Sequence, residues 1–158
     1  MNPSRGLHSD ITTELAKGAY TNINLVDLTL GTNASPTTYY YTDHTANIAV
    51  GGNTYLSNGF LISMSHVRED KVMSTGVLNL TLSAVDQTIV SEVLTNGYLH
   101  KPVKIQRAFL NSSNALISSD AVFTIYDGTI DVATIKDSGT SSTIELGIKN
   151  HWAFFKRI

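Results

Sequence analysis

The chain has 158 residues, a net charge of −2 and no cysteine. That length suits one domain able to bury its own core, and the absent cysteine excludes disulfides, thiolate zinc sites, iron–sulfur clusters and thiol nucleophiles. Charged residues are only 15%, while Thr (19), Ser (16) and Asn (12) fill 47 positions, a swap that suits strands, turns and surfaces that meet other protein.

Asp10 to Gly18 reads as a short helix, with Asp10 as N-cap, Ile11 and Leu15 on one face and Gly18 as terminator. Ala19 to Leu30 alternates as a long strand with one imperfect step at Val26. Gly31 to Pro36 is a turn, and the tyrosines at 39, 40 and 41 place a strand over Thr37–Thr42. Ile48 and Val50, then Gly51-Gly52-Asn53, then Thr54-Tyr55-Leu56 read as a hairpin. Phe60 to Val67 alternates, with Phe60, Ile62 and Met64 on one side and Leu61, Ser63 and Ser65 on the other. The charge cluster Arg68–Lys71 marks a loop.

Val77 to Leu82 is the most regular strand, with Leu78, Leu80 and Leu82 facing one way. Asp86 to Asn96 is a second helix, capped by Asp86, with Ile89, Val90, Val93 and Leu94 as its stripe and Gly97 at C′. Val103 to Leu110 is a strand, and Asn111–Asn114 a polar turn before Leu116-Ile117. Val122 to Ile135 is extended but broken at Asp127-Gly128. Val132 and Ile135 fall out of alternation, which predicts a bulge or bend. Asp137–Ser142 is a turn, and Thr143 to Ile148 is the last clear strand. The predicted fold is therefore mainly β: an antiparallel barrel or sandwich of eight or more strands with two short α-helices. One domain, residues 1–158, is expected, with an N-terminal helical segment over 1–18 and an aromatic, basic tail over 151–158.

Chemistry is sparse in this pattern. The five histidines (His8, His44, His66, His100, His151) form no zincin-like spacing. His66 lies near Glu69 and Asp70, but a solvated loop explains all three. Asp43-His44 suggests a dyad, yet no nucleophile elbow accompanies it. Asp127, Asp131 and Asp137 would form a carboxylate cluster only if the fold gathered them, and turns account for two of them. No catalytic residue, cofactor or metal is expected. No basic excess is available for phosphates, and no apolar run approaches the ~18–20 residues that span a bilayer, so neither nucleic-acid binding nor membrane insertion is expected. Met1 to Asp10 has no apolar stretch of a secretory leader.

Two aromatic features stand out as interface candidates. Tyr39, Tyr40 and Tyr41 could form a platform for sugars, though in a strand Tyr39 and Tyr41 share one face and Tyr40 takes the other, which suits packing. Trp152, Phe154 and Phe155 sit in the tail His151–Ile158. Three aromatics left in water cost roughly 25 cal/mol per Å², so the tail is expected to dock, as a short helix or turn, on its own domain or on a neighbour.

The order of elements carries a resemblance. It runs through Leu25-Val26-Asp27-Leu28, the Gly52 to Tyr55 step, Ile62-Ser63, Gly76 to Ser83, Pro102-Val103-Lys104-Ile105, the Phe123–Gly128–Ile130–Asp131 step, and Ile144 to Asn150. From about Leu15 to Asn150 the chain resembles the N-terminal domain of tail-hub proteins of long-tailed bacteriophages and gene transfer agents, the DUF2163-like group. That resemblance implies a structural virion protein of the tail tip or baseplate and not an enzyme. It implies a ring, trimer or hexamer, of identical copies that joins the tail tube to tip or fibre proteins, with distal-tail and hub/fibre proteins as neighbours. DNA would pass through such a ring without specific binding, and assembly would take place in the host cytoplasm. Related chains continue into a further domain, in some cases with cysteines that hold a metal cluster. With no cysteine here, a minimal or split version without the cluster is expected. The alternatives are another virion β-barrel, such as a tail-tube or distal-tail protein, and a carbohydrate-binding β module using Tyr39–Tyr41.

Overall fold

The computed structural model describes residues 9–18, 21–57, 59–65, 77–95, 97–118 and 121–150. Along the chain lie α1 (Ser9–Ala16), β1 (Thr21–Gly31), β2 (Pro36–Thr42), β3 (Ile48–Val50), β4 (Asn53–Tyr55), β5 (Leu61–Met64), β6 (Val77–Ser83), α2 (Gln87–Leu94), β7 (Pro102–Leu110), β8 (Val122–Asp137) and β9 (Ser142–Asn150). Seven strands form one sheet in the order β2-β1-β7-β8-β9-β6-β5, and β3 and β4 form a separate hairpin. Every pairing of named strands is antiparallel. The sheet curls into a half-barrel. The mainly β architecture with two short helices is the one the sequence predicts.

The two faces of the sheet are filled differently, and the alternation of each strand decides how. On the inner face lie Val26, Leu28, Leu30, Tyr41, Leu78, Leu80, Leu82, Val103, Ile105, Ile130, Ile144, Leu146 and Ile148, closed over by Ile89 and Val93 of α2. Each such side chain, fully buried, contributes about 1.5–3 kcal/mol of transfer free energy. On the outer face, Ile23 and Leu25 of β1 pack with Ala108 and Leu110 under the β3–β4 hairpin, whose Tyr55 is buried. The imperfect step at Val26 is therefore where β1 passes from burying its outer residues to burying its inner ones. A third cluster holds Ile11 of α1 against Phe109 and Ala121, with Leu15, Ile117 and Phe123 beside it. The predicted Ile11/Leu15 face is the one that packs.

Several local expectations hold. The β3–β4 turn has Gly51 and Gly52 both at positive φ, 57° and 84°, the backbone a two-residue hairpin of this hand demands. Asp86 caps α2 by accepting the Thr88 N–H at 2.8 Å. Asn111 Oδ1 accepts the Ser113 and Ala115 N–H groups, and Asn114 takes φ 57°, so that segment is the predicted polar turn. The pairing of β8 with β9 shifts between Ile130 and Val132, which is the predicted bulge.

Others are corrected. Asp10 lies inside α1, one residue after its start, and not at the N-cap. Gly97 sits at C″ and not C′: its N–H reaches the Glu92 carbonyl at 2.8 Å, the six-to-one bond of a Schellman end. A Cβ there would also crowd the Glu92 carbonyl oxygen at 3.1 Å and the Gly31 Cα at 3.2 Å. β5 is shorter than predicted within the described residues, and its faces differ. A register shift between Leu61 and Ser63 turns Leu61 and Met64 toward the core with Phe60, while Ile62 is left 52% exposed.

The largest correction concerns Asp127-Gly128. β8 runs unbroken through them, with Gly128 opposite Val103 on one side and Asn150 on the other. A Cβ on Gly128 would lie 2.3 Å from the Lys149 carbonyl oxygen. The glycine marks a close approach of two backbones and not a turn. The Arg68–Lys71 loop, with His66, lies outside the described residues, as does the tail 151–158.

Candidate assembly surfaces

The tyrosine run is divided between the two faces by strand alternation. Tyr39 and Tyr41 stack on the inner side with ring centroids 6.4 Å apart and planes 7° from parallel. Tyr40 points outward and meets Tyr55 edge-on at 5.3 Å. The Tyr55 hydroxyl donates to Asp27 Oδ1 at 2.6 Å, with Gln106 Oε1 at 3.2 Å. Burial, followed by the hydrogen bond to Asp27, pushes the Tyr55 phenol well above its ordinary value. Burial does the same to Tyr41, and burial with help from Glu92 and Asp86 raises Tyr39. Tyr41 is buried and Tyr39 and Tyr40 are half-buried, so the three rings form no continuous exposed platform of the kind a sugar would stack on.

Other residues singled out from the sequence turn out to be dispersed. Asp43 is held by Asn24, whose backbone N–H and Nδ2 donate to its two carboxylate oxygens at 2.8 and 2.6 Å. The His44 N–H donates to Thr42 Oγ1 at 3.2 Å. The Asp43-His44 pair thus sits in a knot that ties the end of β2 to β1. Asp127 stands opposite Lys104 in the sheet, Asp131 pairs with Lys149, and Asp137 closes the β8–β9 hairpin. At roughly 3.3 Å per residue along a strand, the ten positions from Asp127 to Asp137 cannot converge on one ion. No group of three His, Asp or Glu among the described residues could hold a metal. Trp152, Phe154 and Phe155 lie outside the described residues.

What the fold leaves open is surface. The outer face over β1 and β7 is covered by the β3–β4 hairpin, but over β8, β9, β6 and β5 it carries no layer of described residues. Ile62, Val77 and Val132 stand there 52%, 52% and 50% exposed. Between Val77 and Val132 lies Gly147, whose missing side chain lets Val132 lean across: a Cβ would meet Val132 Cγ1 at 2.7 Å. The charges on this face are already matched, Lys136 with Glu145 and Lys149 with Asp131. This is a charge-balanced surface of Val, Thr and Asn, a signal that composition alone had hinted at without locating.

The two edge strands of the sheet differ. β2 is one edge and β5 the other. Leu56 already occupies part of the β2 edge, since the Thr42 N–H donates to its carbonyl at 3.0 Å and its own N–H donates to the Tyr40 carbonyl at 2.9 Å. Pro36, at the start of β2, offers no N–H to an incoming strand.

No known family model matches the sequence, and no curated protein matches it either. A solved structure does: a component of the virion of a native gene transfer agent particle, with a TM-score of 0.73 and 14% identity. The match covers 96% of this chain and 47% of that one, so the chain spans about half the length of the protein it resembles. The two share a fold over nearly all of this chain.

Proposed function

We propose that the chain is a structural subunit of a phage-type virion, located at the tail tip or baseplate hub. The observation that carries this reading is the shared fold with a gene transfer agent virion component over 96% of the chain. The distribution of surface agrees with it. A ring of identical subunits joined head to tail needs two different surfaces that fit each other, not one self-complementary patch. The half-barrel presents unlike edges at β2 and β5, together with an outer face that no layer of described residues covers and whose charges are matched internally. Tyr39 and Tyr40, half-buried beside the β2 edge, are the interface candidates among the described aromatics. The neighbours would be the distal-tail and hub or fibre proteins of the same particle. A net charge of −2 favours passage of DNA through the ring without retention. In this role the chain catalyses nothing.

Sedimentation velocity and negative-stain imaging of the purified protein, alone and with the products of adjacent genes, test the proposal. Closed rings of trimeric or hexameric mass support it. A strict monomer under both conditions counts against it.

A further inference from the structure

We propose that the second half of β8 is a docking edge, on which an extended segment of a different protein adds as a further strand. This inference does not depend on the virion reading. It rests on where β7 begins and on the register of the sheet.

β7 begins at Pro102, opposite Thr129, whereas β8 runs on to Asp137. Beside Pro102 the Ile130 N–H donates to the Lys101 carbonyl and the His100 N–H donates to the Ile130 carbonyl, both at 2.9 Å. Beyond that point β8 is paired with β9 alone. The phase of that pairing can be read from the far side of β9. The Ala84 N–H, extending β6, donates to the Ser142 carbonyl at 2.9 Å. Ser142, Ile144 and Leu146 thus turn their backbone groups toward β6, and Thr143, Glu145 and Gly147 turn theirs toward β8. Their partners on β8 are Lys136, Thr134 and Val132. The Ser138 N–H, donating to the Ser141 carbonyl at 3.0 Å, gives the same phase from the hairpin end. Ala133, Ile135 and Asp137 therefore point N–H and C=O away from β9, on a side where no described strand meets them.

Edges that must stay single are blunted by proline, by free lysine or by a bulge. Val132 to Asp137 has no proline, and its one lysine, Lys136, is paired with Glu145 at 2.7 Å. The bulge falls before this stretch, between Ile130 and Val132, and leaves it regular. β6 begins at Val77 and β9 ends at Asn150, level with Thr129 and Gly128, at the opposite end from Asp137. The occupant follows from the chemistry. Only another extended backbone offers donors and acceptors at the spacing of alternate strand residues. No described strand of a second copy fits. β5 has four residues with a register shift inside it, and β3 and β4 have three each. The free side of β2 lacks an N–H at Pro36 and is bonded to Leu56 at Tyr40 and Thr42. Ala133 and Ile135 are half-buried against the inner core, so the incoming residues beside them are apolar and β-branched. Thr134 and the charge-matched Lys136 on the outer side favour threonine over a charged residue. The partner segment is therefore uncharged and alternates apolar with hydroxyl side chains.

Amide hydrogen exchange, followed by NMR on the full chain, tests this. In the free protein the Thr134 and Lys136 amides, bonded to β9, should be protected, while those of Ala133 and Ile135 should exchange nearly as fast as in an unstructured chain. The probe is an acetylated and amidated seven-residue peptide of alternating valine and threonine. At millimolar concentration it should slow exchange at Ala133 and Ile135 several-fold and leave Thr134 and Lys136 unchanged. The same peptide N-methylated throughout, which has no donors, should do nothing. Ala133→Pro removes one outward N–H and none from the β9 ladder. Its melting should stay near wild type while the peptide effect at Ile135 is lost. Should that variant not fold, the pair of peptides still decides. Ala133 and Ile135 amides already protected in dilute free protein would overturn the proposal. So would no effect of the valine–threonine peptide, or equal effects of the two peptides. Protection that grows with protein concentration in the absence of peptide would overturn it as well, by giving the edge to a second copy.

Discussion

The Phe60 ring stands edge-on to the Tyr41 ring, with centroids 5.7 Å apart and planes at 86°, although Tyr41 belongs to β2 and Phe60 leads into β5, the two opposite edges of the sheet. Seven twisted strands have curled far enough to bring those edges within aromatic contact. The contact closes the inner core on its open side without a backbone ladder.

That relationship predicts a specific sensitivity. Phe60→Ala should cost about 2 kcal/mol, below the roughly 3–5 kcal/mol of a fully buried aromatic because Phe60 is only half-buried. Phe60→Leu should cost less than about 1.5 kcal/mol. Urea melts of the three proteins decide it, and an alanine variant as stable as wild type would show that the edges are held by something else.

The two sheet glycines should respond differently to alanine. At Gly128 the new Cβ would strike the Lys149 backbone carbonyl, which cannot move without disturbing the β8–β9 ladder. A loss of about 2–3 kcal/mol is expected, as for overpacked cores. At Gly147 the obstacle is the tip of Val132, a half-exposed side chain. Gly147→Ala should therefore change stability by less than about 1 kcal/mol, since a lost glycine also reduces the entropy of the unfolded chain. Thermal melts of both variants provide the comparison.

Much of the fold was legible because its strands alternate cleanly. Leu78, Leu80 and Leu82 announce β6, and the misplaced Val132 and Ile135 announce the β8 bulge. Asp127-Gly128 misleads because a glycine after an aspartate serves equally as a turn or as a place where two backbones nearly touch. Only the neighbour, Lys149, tells which, and it is distant in sequence. Ile62 misleads for a similar reason: the bulge that turns it outward is set by pairing with β6. Strand order is nonlocal and has no periodic signature, so the face shared by Ile62, Val77 and Val132 could not be assembled from local pattern. Composition pointed to such a surface without saying where.

The buried phenols carry a pH signature. Burial pushes the Tyr126 hydroxyl, which donates to the Ile148 carbonyl at 3.1 Å, up to about 12. A group raised in the folded state contributes stability that is complete below its unfolded pKa, about 10, and is lost as pH rises through the folded value. Wild type should lose stability between about pH 10 and 12 relative to Tyr126→Phe, in which that ionisation is absent. Denaturant melts across this range test the sign. A gap that widens in favour of wild type would be the wrong one.

Asp137 has the opposite sense. The Gly139 N–H, donating to its Oδ1 at 3.0 Å, and the Ser142 hydroxyl hold its carboxyl below the ordinary value of 3.8. A depressed carboxylate contributes stability above its unfolded pKa and loses it as pH falls through the folded one. The stability difference between wild type and Asp137→Ala should be present at neutral pH and shrink below about pH 4. A difference that stays constant to acid would assign it to the turn backbone alone.

The central claim is that this chain is built into a virion. Particles purified on a density gradient from a strain that carries the gene, and analysed by quantitative mass spectrometry, test it most directly. The account predicts that the chain copurifies with tail proteins at a fixed ring stoichiometry, three or six copies per particle for a trimer or hexamer, and is lost from tail-less heads. Its absence from intact particles, while it remains abundant in the lysate, would contradict the account.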